Sequence, residues 1–128
     1  YGIKPPWTTL NAINLNTGDY AWTIPLGNYP HLQKKGEPET GSEGNTGPIV
    51  TAGGLLFIGA NMGGTNFRFR AYDKDSGKLV WDTPIPGSTT SNASTYKSGK
   101  KQYIAVSVAG DAENPGGYVM VFALPDNK

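Results

Sequence analysis

Two pairs of acidic residues are the first candidates for chemistry in this sequence. Asp73 and Asp75 stand in the segment DKDSG, whose spacing is similar to the start of a calcium-binding loop. Such a loop needs a further ligand after Asp75 and a bidentate carboxylate at its twelfth position, where this chain has Pro84. We therefore interpret Asp73 as a turn residue and not as a calcium ligand.

Asp111 and Glu113 form the second pair, in the loop DAENPGG. They could share a cation, although two carboxylates at this spacing are more often part of a solvated loop. His31 is the only histidine, and no Ser, Cys or second His lies near it in the sequence. A catalytic triad or a zinc site cannot be built around it. From these residues we predict no catalytic group and no metal ligand, and we expect His31 on the surface.

The composition indicates the elements that carry these residues. The 128 residues include 18 glycines and 10 prolines, and only 16% are charged. Short β-branched and aromatic runs alternate with Gly, Pro and Asn, which is typical of strands joined by turns. The sequence therefore predicts an all-β protein of one domain, or a piece of a larger one.

Charge and hydropathy exclude several classes of function. The net charge is +1, and the basic residues are scattered, with neighbours only at Lys34–Lys35 and Lys100–Lys101. This argues against nucleic-acid binding, which needs a clustered basic face. There is no cysteine, and no apolar run is long enough to span a bilayer. The chain starts at Tyr1 and not at Met, so we expect a processed product or part of a longer protein.

An eleven-residue pattern occurs twice, as AINLNTGDYAW ending at Trp22 and as AYDKDSGKLVW ending at Trp81. Its glycine suits the positive φ of a tight hairpin turn, and its Asn or Asp and its Thr or Ser can bond to the turn backbone. The tryptophan presents a large apolar ring from the outer strand. We interpret the pattern as one that docks each sheet onto the next, and the alternative is an ordinary core tryptophan.

The strand pattern predicts a partial β-propeller. Residues 48–87 contain four consecutive strands, which make a complete antiparallel blade. Residues 1–27 contain the last two strands of a preceding blade, and residues 88–128 contain three strands of an incomplete one. We expect two to three four-stranded blades in all. Residues 28–47 form a long polar loop, either functional or partly disordered.

Charged residues of this loop and of the blade have two possible roles each. Glu37, Glu39 and Glu43 make the loop acidic, which favours a solvent-exposed loop over a lid on the substrate side. In FRFRAY, Arg68 and Arg70 share one strand face. We expect them to pair with carboxylates or aromatic rings and not with a ligand.

The repeated pattern resembles the tryptophan-docking motif of the quinoprotein dehydrogenases, eight-bladed propellers that carry pyrroloquinoline quinone (PQQ). The segments PPWTTLNAINLNTGDYAW, TAGGLLFIGAN, FRAYDKDSGKLVW, TYKSGKKQYIAVSVAG and GGYVMVFALPDNK look like the C-terminal region of the membrane-bound glucose dehydrogenase branch. The resemblance covers essentially the whole chain. It implies an eight-bladed parent in the periplasm that oxidises an aldose or alcohol with PQQ and Ca²⁺ or Mg²⁺.

The resemblance places the catalytic aspartate and the metal ligands in earlier blades, which have no counterpart here. It implies that this chain shapes one side of the cofactor pocket through Asn45, Thr46 and Gly47 and through Gly110 and Asp111. The alcohol-oxidising branches have a tryptophan near the position of Asp111, and its absence here favours the sugar-oxidising branch or a cofactor-free relative.

The resemblance also implies what the chain does by itself. We expect it to bind no cofactor and to be inactive without the remaining blades of the parent, which are its expected partners. Open sheet edges predict self-association. The competing functions are a non-enzymatic propeller scaffold that binds other proteins by an exposed edge and a sugar-binding module.

Overall fold

The chain forms nine β-strands, seen in a computed structural model that describes residues 2–44 and 46–126. The strands are β1 (Thr9–Ile13), β2 (Tyr20–Pro25), β3 (Ile49–Val50), β4 (Leu55–Asn61), β5 (Phe67–Asp73), β6 (Leu79–Ile85), β7 (Ser94–Ser98), β8 (Lys101–Val108) and β9 (Tyr118–Ala123). They make three antiparallel sheets, β1–β2, β3–β4–β5–β6 and β7–β8–β9. Within the described ranges, no helix is both long and apolar enough to cross a membrane.

The hairpin turns form as the repeat predicts. Gly18 and Gly77 have φ of 81° and 71°, a conformation that glycine adopts without steric cost. In the second turn, the Asp73 carboxylate accepts hydrogen bonds from the backbone N–H and the hydroxyl of Ser76, at 2.8 Å and 2.7 Å. In the first turn, the Asn14 side chain accepts a bond of 2.9 Å from the Asn16 N–H. The interpretation of Asp73 as a turn residue is thereby confirmed.

Two hydrophobic clusters hold the sheets face to face. The first cluster lies between the β1–β2 and β3–β6 sheets, and the second between the β3–β6 and β7–β9 sheets. The buried members of the first are Leu10, Leu56, Ile58 and Tyr72. Those of the second are Phe69, Ile85, Ala93, Ile104, Val106 and Val108. Because β5 alternates, Phe69 packs to one side of its sheet and Tyr72 to the other.

Both repeated tryptophans contact a neighbouring sheet. The Trp22 indole N–H donates to the Lys74 carbonyl at 2.9 Å, and its ring lies against the backbone of Gly77 in the turn of the second sheet. Trp81 is 38% exposed, and its ring meets the Phe122 ring of the third sheet edge-on at a centroid distance of 5.4 Å. Trp22 therefore has both a polar and an apolar partner in the next turn.

The polar loop 28–47 is more closely packed than its composition suggests. Asn28, Thr40 and Ser42 are 5%, 1% and 3% exposed. The Asn28 side-chain oxygen accepts a bond of 3.0 Å from the Thr40 N–H, and the Ser42 hydroxyl donates to the Asn61 carbonyl at 2.6 Å. Glu39 pairs with Arg70 of β5. The interpretation of this loop as simply solvent-exposed is wrong for these residues, because their polar groups find partners inside the fold.

The arrangement confirms the predicted fold class, stacked antiparallel sheets of a partial propeller. The first strand of the complete blade is short, since β3 contains only Ile49 and Val50. The blade boundaries 1–27, 28–47, 48–87 and 88–128 stay predictions.

Candidate functional site

Four loops lie at one end of the sheets: the loop between β2 and β3, the loop between β4 and β5, the loop between β6 and β7, and the loop between β8 and β9. The antiparallel register of the strands places them at this same end. Backbone bonds connect the elements at this end, from the Asn28 N–H to the carbonyl of Asn61 at the end of β4, at 2.8 Å, and from the Ala109 N–H to the carbonyl of Ser88 in the β6–β7 loop, at 2.8 Å. The turns that contain Gly18 and Gly77 lie at the opposite end.

Two adjoining clefts open at this end. The larger has a volume of about 400 Å³ and is lined by Glu43, Gly44, Thr46, Gly59, Ala60, Asn61, Phe67, Arg68, Ile85, Ser88, Thr89 and Thr90. The smaller, of about 220 Å³, lies between the first two sheets and shares Glu43, Gly44 and Thr46 with the larger. Glu43, Gly44 and Thr46 therefore form the lip between the two clefts, and Gly59, Ala60 and Asn61 of β4 also line both.

Of the first group of expected site residues, Thr46 lies on this lip and Gly47 directly follows it. The Thr46 hydroxyl donates to the Ser91 carbonyl at 3.0 Å, and the Gly47 N–H donates to the Asn92 side-chain oxygen at 2.7 Å. A Cβ on Gly47 would lie 2.7 Å from that oxygen, so another residue here would displace the Asn92 side chain. Asn45 lies outside the described residues. Thr46 and Gly47 are thus fixed to the loop between β6 and β7.

The second expected group belongs to the loop between β8 and β9. The Asp111 carboxylate accepts bonds from the Asn114 N–H at 2.8 Å and from the Tyr118 hydroxyl at 2.7 Å. These donors lower the pKa of Asp111, the Asn114 N–H contributing most. A Cβ on Gly110 would collide with the Asn114 carbonyl, which explains the glycine. Neither Gly110 nor Asp111 lines the larger cleft, and both shape their own turn.

Arg68 and the hydroxyl groups of the 88–90 loop were not among the expected site residues. Alternation along β5 predicts the face of Arg68, but only the folded loops show that it borders a cleft. Its Nε donates to Asp82 Oδ1 at 2.6 Å, as the expected pairing with a carboxylate requires.

His31 is exposed and contacts the Tyr29 ring edge-on, which confirms its surface position.

The larger cleft combines apolar walls with a set of polar groups, among them the Glu43 carboxylate. Its hydroxyl, amide and guanidinium groups can donate hydrogen bonds to carboxylate or carbonyl oxygens. No group of three or more His, Cys, Asp or Glu that could hold a metal occurs within residues 2–44 and 46–126. The cleft can therefore orient an oxygen-rich ligand, and its described residues supply no multidentate metal site.

Stacked antiparallel sheets of consecutive strands, one of them complete with four strands, are typical of the β-propeller class. Residues 2–104 match the family described as "PQQ: Glucose/ethanol/alcohol dehydrogenase, beta-propeller domain". The chain belongs to this family of quinoprotein propellers. The resemblance seen in the sequence is confirmed.

Relatives of the chain are much longer than the chain itself. The chain is 36% identical to the glycerol dehydrogenase large subunit of Gluconobacter thailandicus, and the match covers 96% of this chain and 17% of that protein. It is 30% identical to quinoprotein glucose dehydrogenase A of Acinetobacter calcoaceticus over 98% of its length and 16% of that protein. The chain therefore corresponds to a small part of these dehydrogenases.

A solved structure supports the fold. The quinohemoprotein alcohol dehydrogenase of Comamonas testosteroni matches with a TM-score of 0.64 at 24% identity, over 93% of this chain and 18% of that one.

Proposed function

We propose that this chain is the C-terminal part of a periplasmic quinoprotein dehydrogenase that oxidises an aldose or an alcohol with PQQ and Ca²⁺ or Mg²⁺. It completes the propeller and forms one side of the cofactor pocket. The observation that carries the proposal is the family match over residues 2–104. Relatives named for glycerol and for glucose leave the substrate between these two classes.

The larger cleft has a donor set that fits PQQ. This cofactor is a quinone with several carboxylates, and when bound it accepts the electrons removed from the substrate. Ser88, Thr89 and Thr90 offer hydroxyl donors, and Arg68 offers the guanidinium N–H groups other than the Nε that bonds to Asp82. The Thr46 hydroxyl donates to Ser91 and can only accept, and Glu43 is the acidic residue of the lining. The hydroxyl donors and the guanidinium hold and orient carboxylate oxygens. The metal ligands and the base that removes the substrate proton come from other blades of the parent.

The repeated tryptophans dock neighbouring blades. The support for this role is the contact of Trp22 with Lys74 and Gly77 of the next sheet, together with the ring contact of Trp81 with Phe122. The remaining blades of the parent are the partners of the outer sheet faces. By itself the chain is catalytically inactive, because too little of the pocket is present.

The test uses the longer protein that contains this chain. Loaded with PQQ and Ca²⁺, it should reduce an artificial electron acceptor in the presence of glucose or glycerol. Thr90→Val should raise the half-saturating PQQ concentration about tenfold, the loss of one hydrogen bond to a charged group. Thr95→Val, which removes a hydroxyl from β7 away from the cleft, is the matched control and should change nothing.

Two results would contradict the proposal. If the parent bound no PQQ when incubated with PQQ and Ca²⁺, a non-enzymatic scaffold would be the better explanation of its function. If the isolated chain quenched its tryptophan fluorescence saturably on titration with PQQ and Ca²⁺, the expected dependence on the other blades would be wrong.

A further inference from the structure

Four charged side chains form a continuous network beneath the cleft. Arg68, on the cleft wall, bonds to Asp82 Oδ1 at 2.6 Å. The other oxygen of Asp82 lies 3.5 Å from the Arg70 Nε, and Arg70 reaches Glu39 in the long loop. Charges alternate along the network, so each group has an opposite charge beside it. The network links two strands of one sheet to the loop that leads to the cleft lip.

Glu39 is the principal partner of the buried arginine. Arg70 is 4% exposed, and its Nη1 and Nη2 donate to the two Glu39 oxygens at 3.0 Å and 3.1 Å. Its Nε makes no hydrogen bond to any described residue, although Asp82 is close. Burial acts to lower the pKa of Arg70, but the bonds to Glu39 and Tyr72 outweigh it and raise the pKa above its usual value. The Glu39 carboxylate is therefore the main opposite charge for the buried Arg70 guanidinium, which has little contact with water.

The residues between Glu39 and the lip are held by hydrogen bonds. The Thr40 side chain and backbone bond to Asn28 and Tyr29, and the Ser42 N–H donates to the Leu26 carbonyl at 2.9 Å. Beyond the lip, Gly47 is bonded to Asn92. Glu43 and Gly44 line both clefts. They lie between two anchored segments, residues 39–42 on one side and Gly47 on the other.

We propose that Glu39 is a positioning residue for the candidate site, which sets the place of Glu43 and Gly44 through its ion pair with Arg70. Its relevance to catalysis rests on the proposed function, but the positioning itself needs no cofactor. Loss of the carboxylate leaves the buried guanidinium without its bidentate partner, which favours local opening of the loop.

The test compares Glu39→Gln with Glu37→Gln in the 128-residue chain. Glu37 is an exposed carboxylate in the same loop, so its variant makes the same chemical change without touching Arg70. In the Glu39 variant, amide hydrogen exchange at residues 40–42 should accelerate at least about tenfold, since partners of buried charges are costly to remove. The Gly44 amide and the Arg70 Nη signals in NMR spectra should shift. The Glu37 variant should match the wild type.

Glu39→Asp keeps the charge on a shorter side chain and should restore part of the protection and part of the Gly44 shift. It also serves as the test variant if Glu39→Gln does not fold. The proposal is overturned if the two Gln variants behave alike, or if exchange at 40–42 rises while the Gly44 signal stays in place. All these measurements are made without PQQ, so a failure of the proposed function leaves their outcome unaffected.

Discussion

Two carboxylates of this chain, those of Asp73 and Asp111, stabilise turns, and their surroundings explain why. Asp73 and Asp111 each accept hydrogen bonds from backbone N–H groups two or three residues further along the chain. Hydrogen bonds to a carboxylate favour its ionised form. The Ser76 hydroxyl contributes most to the lowered pKa of Asp73, and the Asn114 N–H contributes most to that of Asp111. The sequence predicts the role of Asp73, because Asp at this place in a Gly-containing turn acts locally. It leaves Asp111 open between turn and ligand, since the loop length alone does not reveal the Tyr118 bond.

The lowered pKa of Asp111 predicts how its turn responds to acid. A carboxyl whose native pKa lies below its unfolded value stabilises the native turn while it is ionised. The contribution is complete above the unfolded value of about 3.9 and is lost as the pH falls through the lower native value. In NMR spectra recorded from about pH 6 to pH 2, the Asn114 amide should move with this titration. Asp111→Asn should abolish the movement, whereas Glu113→Gln should keep it; the reverse pattern would refute this assignment.

The repeated turn shows what the sequence predicts and what it does not at the level of elements. Its glycine, its hydroxyl residue and its Asn or Asp act within a few residues, and their roles follow from local geometry. The partner of Trp22 lies 52 residues away, and that of Arg70 lies 31 away in the polar loop. Alternation predicts the strand face of such a residue but not the loop that covers it. For this reason the sequence predicts a solvent-exposed loop at 28–47, although Asn28, Thr40 and Ser42 are buried.

The two turn glycines provide a matched test of the Trp22 contact. Both have positive φ, so replacement by alanine costs each turn about 1–2 kcal/mol of unfolding free energy. At Gly18 the new Cβ meets nothing within 4 Å, but at Gly77 it lies 2.8 Å from the Trp22 ring. We expect Gly77→Ala to lose about 1–3 kcal/mol more than Gly18→Ala in urea unfolding, the usual cost of overpacking. Equal losses would mean that the indole contact contributes nothing to stability.

At the scale of the whole molecule, the sequence predicts the order of the stacked sheets but not the cleft. The repeat and the strand alternation suffice for the order of sheets and for the buried faces. The cleft does not follow from them, because it is bounded by loops from different sheets that meet only after folding. Thr46 could be expected there through the family resemblance, whereas Ser88 and Thr89 had no pattern of their own.

The outermost sheet face predicts the behaviour of the isolated chain. β9 is an edge strand, and Val119 and Val121 on its outward face are 74% and 49% exposed. Apolar faces beside unpaired backbone groups favour pairing with another copy. The sedimentation coefficient should therefore rise with protein concentration.

Lysine at positions 119 and 121 tests whether this face is responsible. Val119→Lys combined with Val121→Lys should weaken association at least about tenfold, roughly 1.4 kcal/mol, because each buried contact would enclose like charges. Leu15→Lys is the control, since Leu15 is 94% exposed in the first turn and lies on neither flank of β9. If the wild type stayed monomeric at every concentration, the face would need no partner. If Leu15→Lys weakened association equally, net charge and not the β9 face would govern it.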